Sequence, residues 1–281
     1  MKIGITGATG QLGQLVVQKL KEKNTGAELV ALVRNPLKAA SLDIEARTFD
    51  YEQPDTLPQA LEGIDHLVFI SGSEIGKREA QHTNVIKAAK QAQVKKIAYT
   101  SLLNADTSSM MLAPEHLATE NMLKDSGIPH TILRNGWYTE NYTANLKSAV
   151  EKGAIIGSAG NGKISSATRE DYAEAAAEAI TNDAHTGKTY ELAGDQTYTM
   201  QELASEVSKQ TEKKVEFVNL TEEEYAQKLQ EVGLPEGMAN AFANLDYSAS
   251  KHDLFNEDQI LSKLIKRPTT SLHKAVKKAL V

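Results

Sequence analysis

The sequence predicts an α/β fold: a doubly wound parallel sheet with a smaller, mainly helical C-terminal cap domain. Three observations carry this. Through the N-terminal half, short apolar runs alternate with helix-length amphipathic segments, the pattern of parallel strands joined by helical crossovers. After Arg134 that alternation breaks, and from Thr221 onward the sequence is mainly helical. A chain of 281 residues is long enough to bury roughly three quarters of its unfolded surface, so a large α/β unit with a second lobe needs no disulfide or metal to support it.

Strands are expected at KIGIT (from Lys2), LVALV (from Leu29), ARTF (from Ala46), HLVFI (from His66), KIAYTS (from Lys96) and HTILR (from His130). A further strand, TYELAG from Thr189, is expected to rejoin this sheet. The helix from Gln11 to about Lys23 sets Leu12, Leu15, Val16, Lys19 and Leu20 at helical spacing, with an apolar stripe toward the sheet. The segment Gly153 to Ala167 reads as a hairpin around Asn161-Gly162, and Thr168 to Asp171 as a capping box opening a helix through Ile180. Beyond Gly194 come a helix near Met200 to Gln210 and a strand at VEFVNL from Val215. The domain expectation is residues 1–135 with about 165–195 for the sheet, and about 136–164 with 196–281 for the cap over its carboxyl edge.

Composition narrows the function classes. Hydrophobic residues at 41% and charged residues at 24% are ordinary globular values. A formal charge of −6 disfavours nucleic acid or an anionic membrane as partner, since both require a basic footprint. The basic C-terminal stretch (Lys263, Lys266, Arg267, Lys274, Lys277, Lys278) reads as a solvated helix face. Cysteine is absent, which removes disulfides, thiolate catalysis and Cys-zinc sites together. The strand-like run at Lys2 leaves no room for a signal peptide, and no apolar stretch approaches the ~20 residues of a membrane span, so a cytoplasmic protein is expected. The sequons at Asn141 and Asn219 are then chance matches, and homo-oligomerisation is left open.

The strongest chemical signal is GATGQLG, Gly7 to Gly13, between the first strand and the first helix. Gly7, Gly10 and Gly13 sit three apart, a GxxGxxG variant. Small residues let the backbone turn tightly and approach a pyrophosphate, and the helix N-terminus offers that anion unpaired N–H groups and a partial positive charge. A lone glycine triplet is a weak signal. Here strand, turn and helix follow one another directly, which favours a Rossmann-type dinucleotide cradle over an ordinary turn. The second signal is Arg34, at the end of the second strand in VRNP. An acidic residue there would accept hydrogen bonds from the ribose 2′-hydroxyl of NAD, whereas arginine matches the 2′-phosphate of NADP. Asp50, after the third strand, is placed to meet the adenine edge, with loop capping as the alternative. Gly157 to Lys163 fits GxxxxGK, but Ile164 replaces the Ser or Thr that would hold Mg²⁺ and no helix is expected to follow, so a P-loop is rejected. The histidines are dispersed, with none at metal-binding spacing, and no metal is expected.

Taken together and in order along the whole chain, TGATGQLG (from Thr6), VRNP (from Val33), SGSEIGKR (from Ser71), IAYTSLL (from Ile97), LRNGWYTENY (from Leu133), TREDYAEAAA (from Thr168), YELAGD (from Tyr190) and LSKLIKRPTTSL (from Leu261) resemble the NmrA-like, atypical short-chain dehydrogenase/reductase group, and within it the bacterial NAD(P)H:quinone oxidoreductases. The resemblance implies NADP(H) bound by the turn Gly7, Ala8, Thr9, Gly10, Gln11 and Leu12 together with Arg34. It sets Ser71, Ser73 and Glu74 beside the nicotinamide-side ribose. It also implies a nicotinamide and acceptor pocket lined by Asn135, Gly136, Trp137 and Tyr138, with Glu140 and Asn141. Core packing is the alternative for Trp137 and Tyr138; their place at the carboxyl end of a strand favours the pocket.

One departure bears on mechanism. Ordinary members of the wider superfamily carry a YxxxK pair as proton donor and pKa modulator, and the corresponding stretch here is His116-Leu-Ala-Thr-Glu120. For His116 the sequence favours a surface position, with supply of the proton as the alternative, and no residue is assigned a catalytic role. Quinone reduction tolerates this, because charge on the acceptor oxygen is delocalised through the ring and a proton can come from water. The expected activity is hydride transfer from NADPH to a quinone. The alternative is a non-catalytic NADP(H)-binding redox sensor, and an isomerase or epimerase fits the missing pair least well.

Overall fold

The computed structural model describes all 281 residues. In chain order the first elements are β1 (Lys2–Thr6), α1 (Gln11–Lys23), β2 (Glu28–Val33), β3 (Glu45–Thr48), α2 (Leu57–Ala60), β4 (His66–Phe69), α3 (Arg78–Gln91), β5 (Lys96–Leu102), α4 (Ala113–Ser126) and β6 (His130–Asn135). They are followed by α5 (Thr139–Thr143), α6 (Leu146–Lys152), β7 (Ala154–Gly157), α7 (Arg169–Thr181), β8 (Thr189–Leu192), α8 (Met200–Thr211), β9 (Glu216–Asn219), α9 (Glu222–Glu231), α10 (Glu236–Ser250), α11 (Ile260–Ile265) and α12 (Leu272–Leu280). The chain divides into two compact units. The first comprises Met1–Asp106, Pro114–Asn135 and Arg169–Tyr190; the second comprises Thr107–Ala113, Gly136–Thr168 and Glu191–Val281.

The large sheet has strand order β3-β2-β1-β4-β5-β6-β8, and the pairs from β3 through β6 are all parallel. This is the doubly wound architecture, and its order reverses between β1 and β4. Strands buried on both faces should read as continuous apolar runs. β5, buried at every position, and β2, with its last four residues buried, do so. One face is filled by a cluster containing Leu32, Phe49, Phe69, Val85, Tyr99 and Leu123. The α1 helix turns Leu12, Val16, Val17 and Leu20 inward, leaves Leu15 only half-buried, and packs against α7, to which Lys19–Glu170 (3.0 Å) and Lys23–Glu178 (2.5 Å) tie it.

In the second unit α8 and α9 each open on a capping box, Thr199 with Glu202 and Thr221 with Glu224. The basic residues of α11 and α12 lie exposed, apart from a half-buried Arg267 just beyond α11. The expected hairpin at Gly153 to Ala167 is not formed. Instead β7 pairs in parallel with β9. A two-residue hairpin turn of the expected type needs positive φ at both central residues, and neither Asn161 nor Gly162 has it. Gly162 is needed for a different reason: a Cβ there would overlap the carbonyl of Ala249 at the end of α10. The rejected P-loop is likewise no phosphate cradle, since the Ser158 amide donates to the buried carboxylate of Asp246 (2.5 Å).

Gly162→Ala therefore tests close approach against turn propensity. We expect it to cost more than the ~1 kcal/mol of an ordinary glycine replacement, read from urea-denaturation midpoints.

Candidate functional site

The crevice outside a doubly wound sheet opens where strand order reverses, here between the carboxyl ends of β1 and β4. The turn after β1 is built for a close visitor. Gly7 has φ +59°, and its N–H still donates to Leu32 O (3.0 Å), which draws the turn onto β2. Gly13 permits the helix to start there: a Cβ at this position would overlap Gly7 O and the Ala8 backbone. The α1 N-terminus has no side-chain cap on Gly10. Gly7, Gly10 and Gln11 are exposed, Thr9 is half-buried, and Ala8 and Leu12 are buried as the props beneath the turn. An anion set against this turn meets uncapped amides at the positive end of a 13-residue helix.

Arg34 stands just past β2, three-quarters exposed, with Nη1 3.4 Å from Glu74 Oε1. An ion pair so exposed contributes little stability, so the guanidinium is readily given up to a phosphate. Arg34 and Asp50 both border an open groove of about 640 Å³. Asp50 Oδ1 accepts from Glu52 N–H (3.1 Å), which is the loop-capping role. Glu74 also meets Lys77 (3.3 Å), an ion pair that the sequence does not signal.

Past β4 the strand ladder ends, and side chains take over its work. Three consecutive amides are received by three side chains. Ile70 N–H donates to Thr6 Oγ1 (2.9 Å), Ser71 N–H to Thr100 Oγ1 (3.0 Å) and Gly72 N–H to His82 Nε2 (3.0 Å). Tyr51 donates its hydroxyl to Ile70 O (3.1 Å). Ser71 and Glu74 are half-buried on this loop and Ser73 is exposed. Thr6, Thr100, His82 and Arg78 escaped the sequence reading because nothing in their spacing marks them as partners.

His116 is not at the surface: it is 5% exposed, with Nδ1 2.9 Å from the Tyr99 hydroxyl. Burial, with the Arg78 charge beside it, pushes its pKa down to about 3. Glu120 is fully buried and equally committed. It accepts from Ser101 Oγ (2.6 Å) and takes Arg134 through both oxygens, from Nε (2.9 Å) and Nη2 (2.8 Å), while Arg134 also reaches Asp106 (3.0 Å). At the two positions where the superfamily keeps its acid and its lysine, this chain has a neutral imidazole and a locked carboxylate.

Asn135 ends β6 and is only 4% exposed, and neither its Oδ1 nor its Nδ2 has a partner within the protein. In the second unit Gly136 N–H donates to Leu192 O (2.8 Å), and the strand direction continues through Tyr138, which bridges Ala167. Trp137, Tyr138 and Glu140 are half-buried and Asn141 is exposed, so the two aromatics are not packed into the core.

Turn, strand order and switch point together define a dinucleotide-binding protein of Rossmann type. Residues 7–183 match the family described as NAD(P)H-binding. Quinone oxidoreductase 2 of Escherichia coli strain K12 is 53% identical over 277 residues, covering 98% of this chain and 97% of that protein. Among solved structures, the NADPH-dependent quinone oxidoreductase of E. coli complexed with NADPH superposes with TM-score 0.96 at 52% identity, covering 99% of this chain and all of that one. The Citrobacter triphenylmethane reductase complexed with NADP(H) gives TM-score 0.95 at 41% identity, covering 99% of each chain. The chain belongs to the NAD(P)H-binding, NmrA-like family.

The buried histidines set an acid limit on stability. His82 is pushed down to about 2 by burial, helped by the His116 and Arg78 charges, and His116 to about 3. Both stay neutral in the folded chain, while the unfolded chain protonates them below its ordinary value near 6.5, so stability falls as pH drops from there toward 3. Between pH 7 and pH 5 the expected loss is about 4 kcal/mol for the pair. Urea melts at the two pH values measure it, and His116→Gln should roughly halve the difference.

Proposed function

We propose that this chain is an NADPH-dependent quinone reductase of the cytoplasm. The observation that carries the reading is the state of His116 and Glu120. With the imidazole neutral and buried against Tyr99 and the carboxylate held by Arg134 and Ser101, neither group of this pair is placed to act as acid toward a carbonyl. That favours an acceptor that takes hydride without a proton from this pair, and a quinone, with its charge spread over the ring, meets that demand. The 53% identity to the E. coli quinone oxidoreductase supports the same class.

The uncapped turn Gly7 to Leu12 fits the pyrophosphate, Arg34 the 2′-phosphate, and Ser71, Ser73 and Glu74 the nicotinamide-side ribose. When bound, NADPH supplies the hydride. The protein's contribution is orientation and exclusion of water. Asn135, Gly136, Trp137 and Tyr138, with Glu140 and Asn141, are assigned to the nicotinamide and acceptor pocket. The unpartnered amide of Asn135 is the polar group there awaiting a carbonyl or carboxamide.

Stopped-flow absorbance with a panel of benzoquinones and naphthoquinones tests the reading. Oxidation of NADPH by at least one of them is expected; binding without oxidation by any would identify a sensor instead. Arg34→Ala should cost about 1.5–3 kcal/mol of NADPH binding with NADH little changed, and calorimetry showing equal losses would refute the assignment. Asn135→Leu removes an unsatisfied buried amide, so it should stabilise the fold by about 1 kcal/mol while lowering kcat/KM for the quinone.

A further inference from the structure

The loop after β4 is gripped at both ends. At Gly72 the N–H donates to His82 Nε2 (3.0 Å) and the carbonyl accepts from Arg78 Nε (2.7 Å). At the other end Glu115 Oε1 accepts from Gly76 N–H (2.8 Å) and Arg78 N–H (3.3 Å), and its second oxygen holds Arg78 Nη1 (2.7 Å). Between these anchors the amides of Ser73, Glu74 and Ile75 make no hydrogen bond within the protein. The loop is an arch with fixed feet and a free crown.

His82 is an unusual foot. Its ring is fully buried among Phe69 (centroids 4.7 Å apart), Tyr99 (5.7 Å) and Tyr51 (6.3 Å), a setting that a leucine would fill without desolvating two nitrogens. Its protonation is also fixed by its neighbours. Nε2 receives the Gly72 N–H, so in the neutral ring the hydrogen sits on Nδ1 and donates to Thr119 Oγ1 (2.8 Å), whose own hydrogen goes to Glu115 O (2.9 Å). Donation runs in one direction only, from the loop through the ring to α4. Burial keeps the ring from charging, which would abolish the acceptor at Nε2.

We infer that His82 is a positioning residue for the cofactor, holding the Gly72 peptide so that the arch Ser73–Ile75 presents its free amides to the nicotinamide-side ribose. This rests on the reading that NADPH is the ligand. His82 touches neither cofactor nor acceptor; it acts through Gly72, with Arg78 and Glu115 fixing the remaining degrees of freedom.

The test uses calorimetry on the full chain with two ligands: NADPH, and 2′,5′-ADP, which carries the 2′-phosphate but lacks the nicotinamide-side ribose. For His82→Leu we expect NADPH affinity to fall by about tenfold and 2′,5′-ADP affinity to stay within about twofold. His82→Gln, whose Oε1 can take the Gly72 N–H, should recover NADPH binding to within about threefold. A purely structural histidine predicts a lower Tm with both affinities unchanged, or both reduced alike, and either result overturns the inference. Should His82→Leu not fold, Thr119→Val removes the Nδ1 acceptor at nearly constant volume, and NADPH weakened by about threefold with 2′,5′-ADP unchanged is expected. Unaltered NADPH affinity in that variant overturns the inference. A nitrogen-15 spectrum of the wild type should show His82 as the Nδ1–H tautomer; the Nε2–H tautomer overturns it as well. Wild-type protein that binds neither ligand fails differently, since that removes NADPH as the ligand and the positioning role along with it.

Discussion

The molecule depends on how a parallel sheet stops. Between neighbouring strands the ladder pairs the amides, but at the carboxyl edge it runs out while the backbone is still half-buried, and an orphaned amide there costs as much as a lost hydrogen bond. This chain meets that demand with side chains. Thr6 from β1, Thr100 from β5 and His82 from α3 take the amides of Ile70, Ser71 and Gly72 in succession. The loop that leaves β4 is therefore referenced to three separate elements, and its shape is inherited from the core beneath it. The turn after β1 is fixed in the same spirit, by the missing Cβ of Gly13 and by the bond from Gly7 to β2.

What the sequence reveals follows from this. Periodicity and apolar runs report burial on two faces, so all the main-sheet strands were legible, as was the glycine turn, because strand, turn and helix are contiguous. Arg34 was legible as a lone cation at a known distance from that turn. Its pairing with Glu74 was not, because the two are brought together only by the adjacency of β2, β1 and β4. The same holds for His82 with Gly72 and for Glu120 with Arg134. Asn161-Gly162 misled for a related reason: glycine marks both tight turns and close backbone approach, and only the position of α10 distinguishes them. The capping boxes at Thr199 and Thr221 are local patterns that the sequence expectations passed over; the exposure of His116 depended on α4 meeting β5, which is not local.

The Glu120–Arg134 pair shows how a fold can be kept while its chemistry changes. A buried ion pair is costly to desolvate, and its net contribution over well-packed apolar residues is small, but loss of either partner would strand a charge. Here the carboxylate is satisfied by Arg134 and Ser101 together, and the guanidinium extends to Asp106. The position that would hold the lysine of a YxxxK pair is here a cross-brace between α4, β5 and β6. Such a brace leaves the reductase dependent on geometry at the carboxyl edge of the sheet, which is where the side-chain-held loops are found.

The path of the chain has its own consequence. Each compact unit is assembled from three separated segments, and β7 waits for β9, with Ala154 opposite Glu216. During synthesis every segment of the first unit has been made once Tyr190 is complete, whereas the second still lacks its longest piece. The larger sheet thus has a head start on the ribosome, and the late parallel pairing must close a long intervening loop, an entropically slow step. A truncation after Tyr190 would keep every segment of the first unit, whereas no single cut frees the second, whose segments alternate along the chain with those of the first.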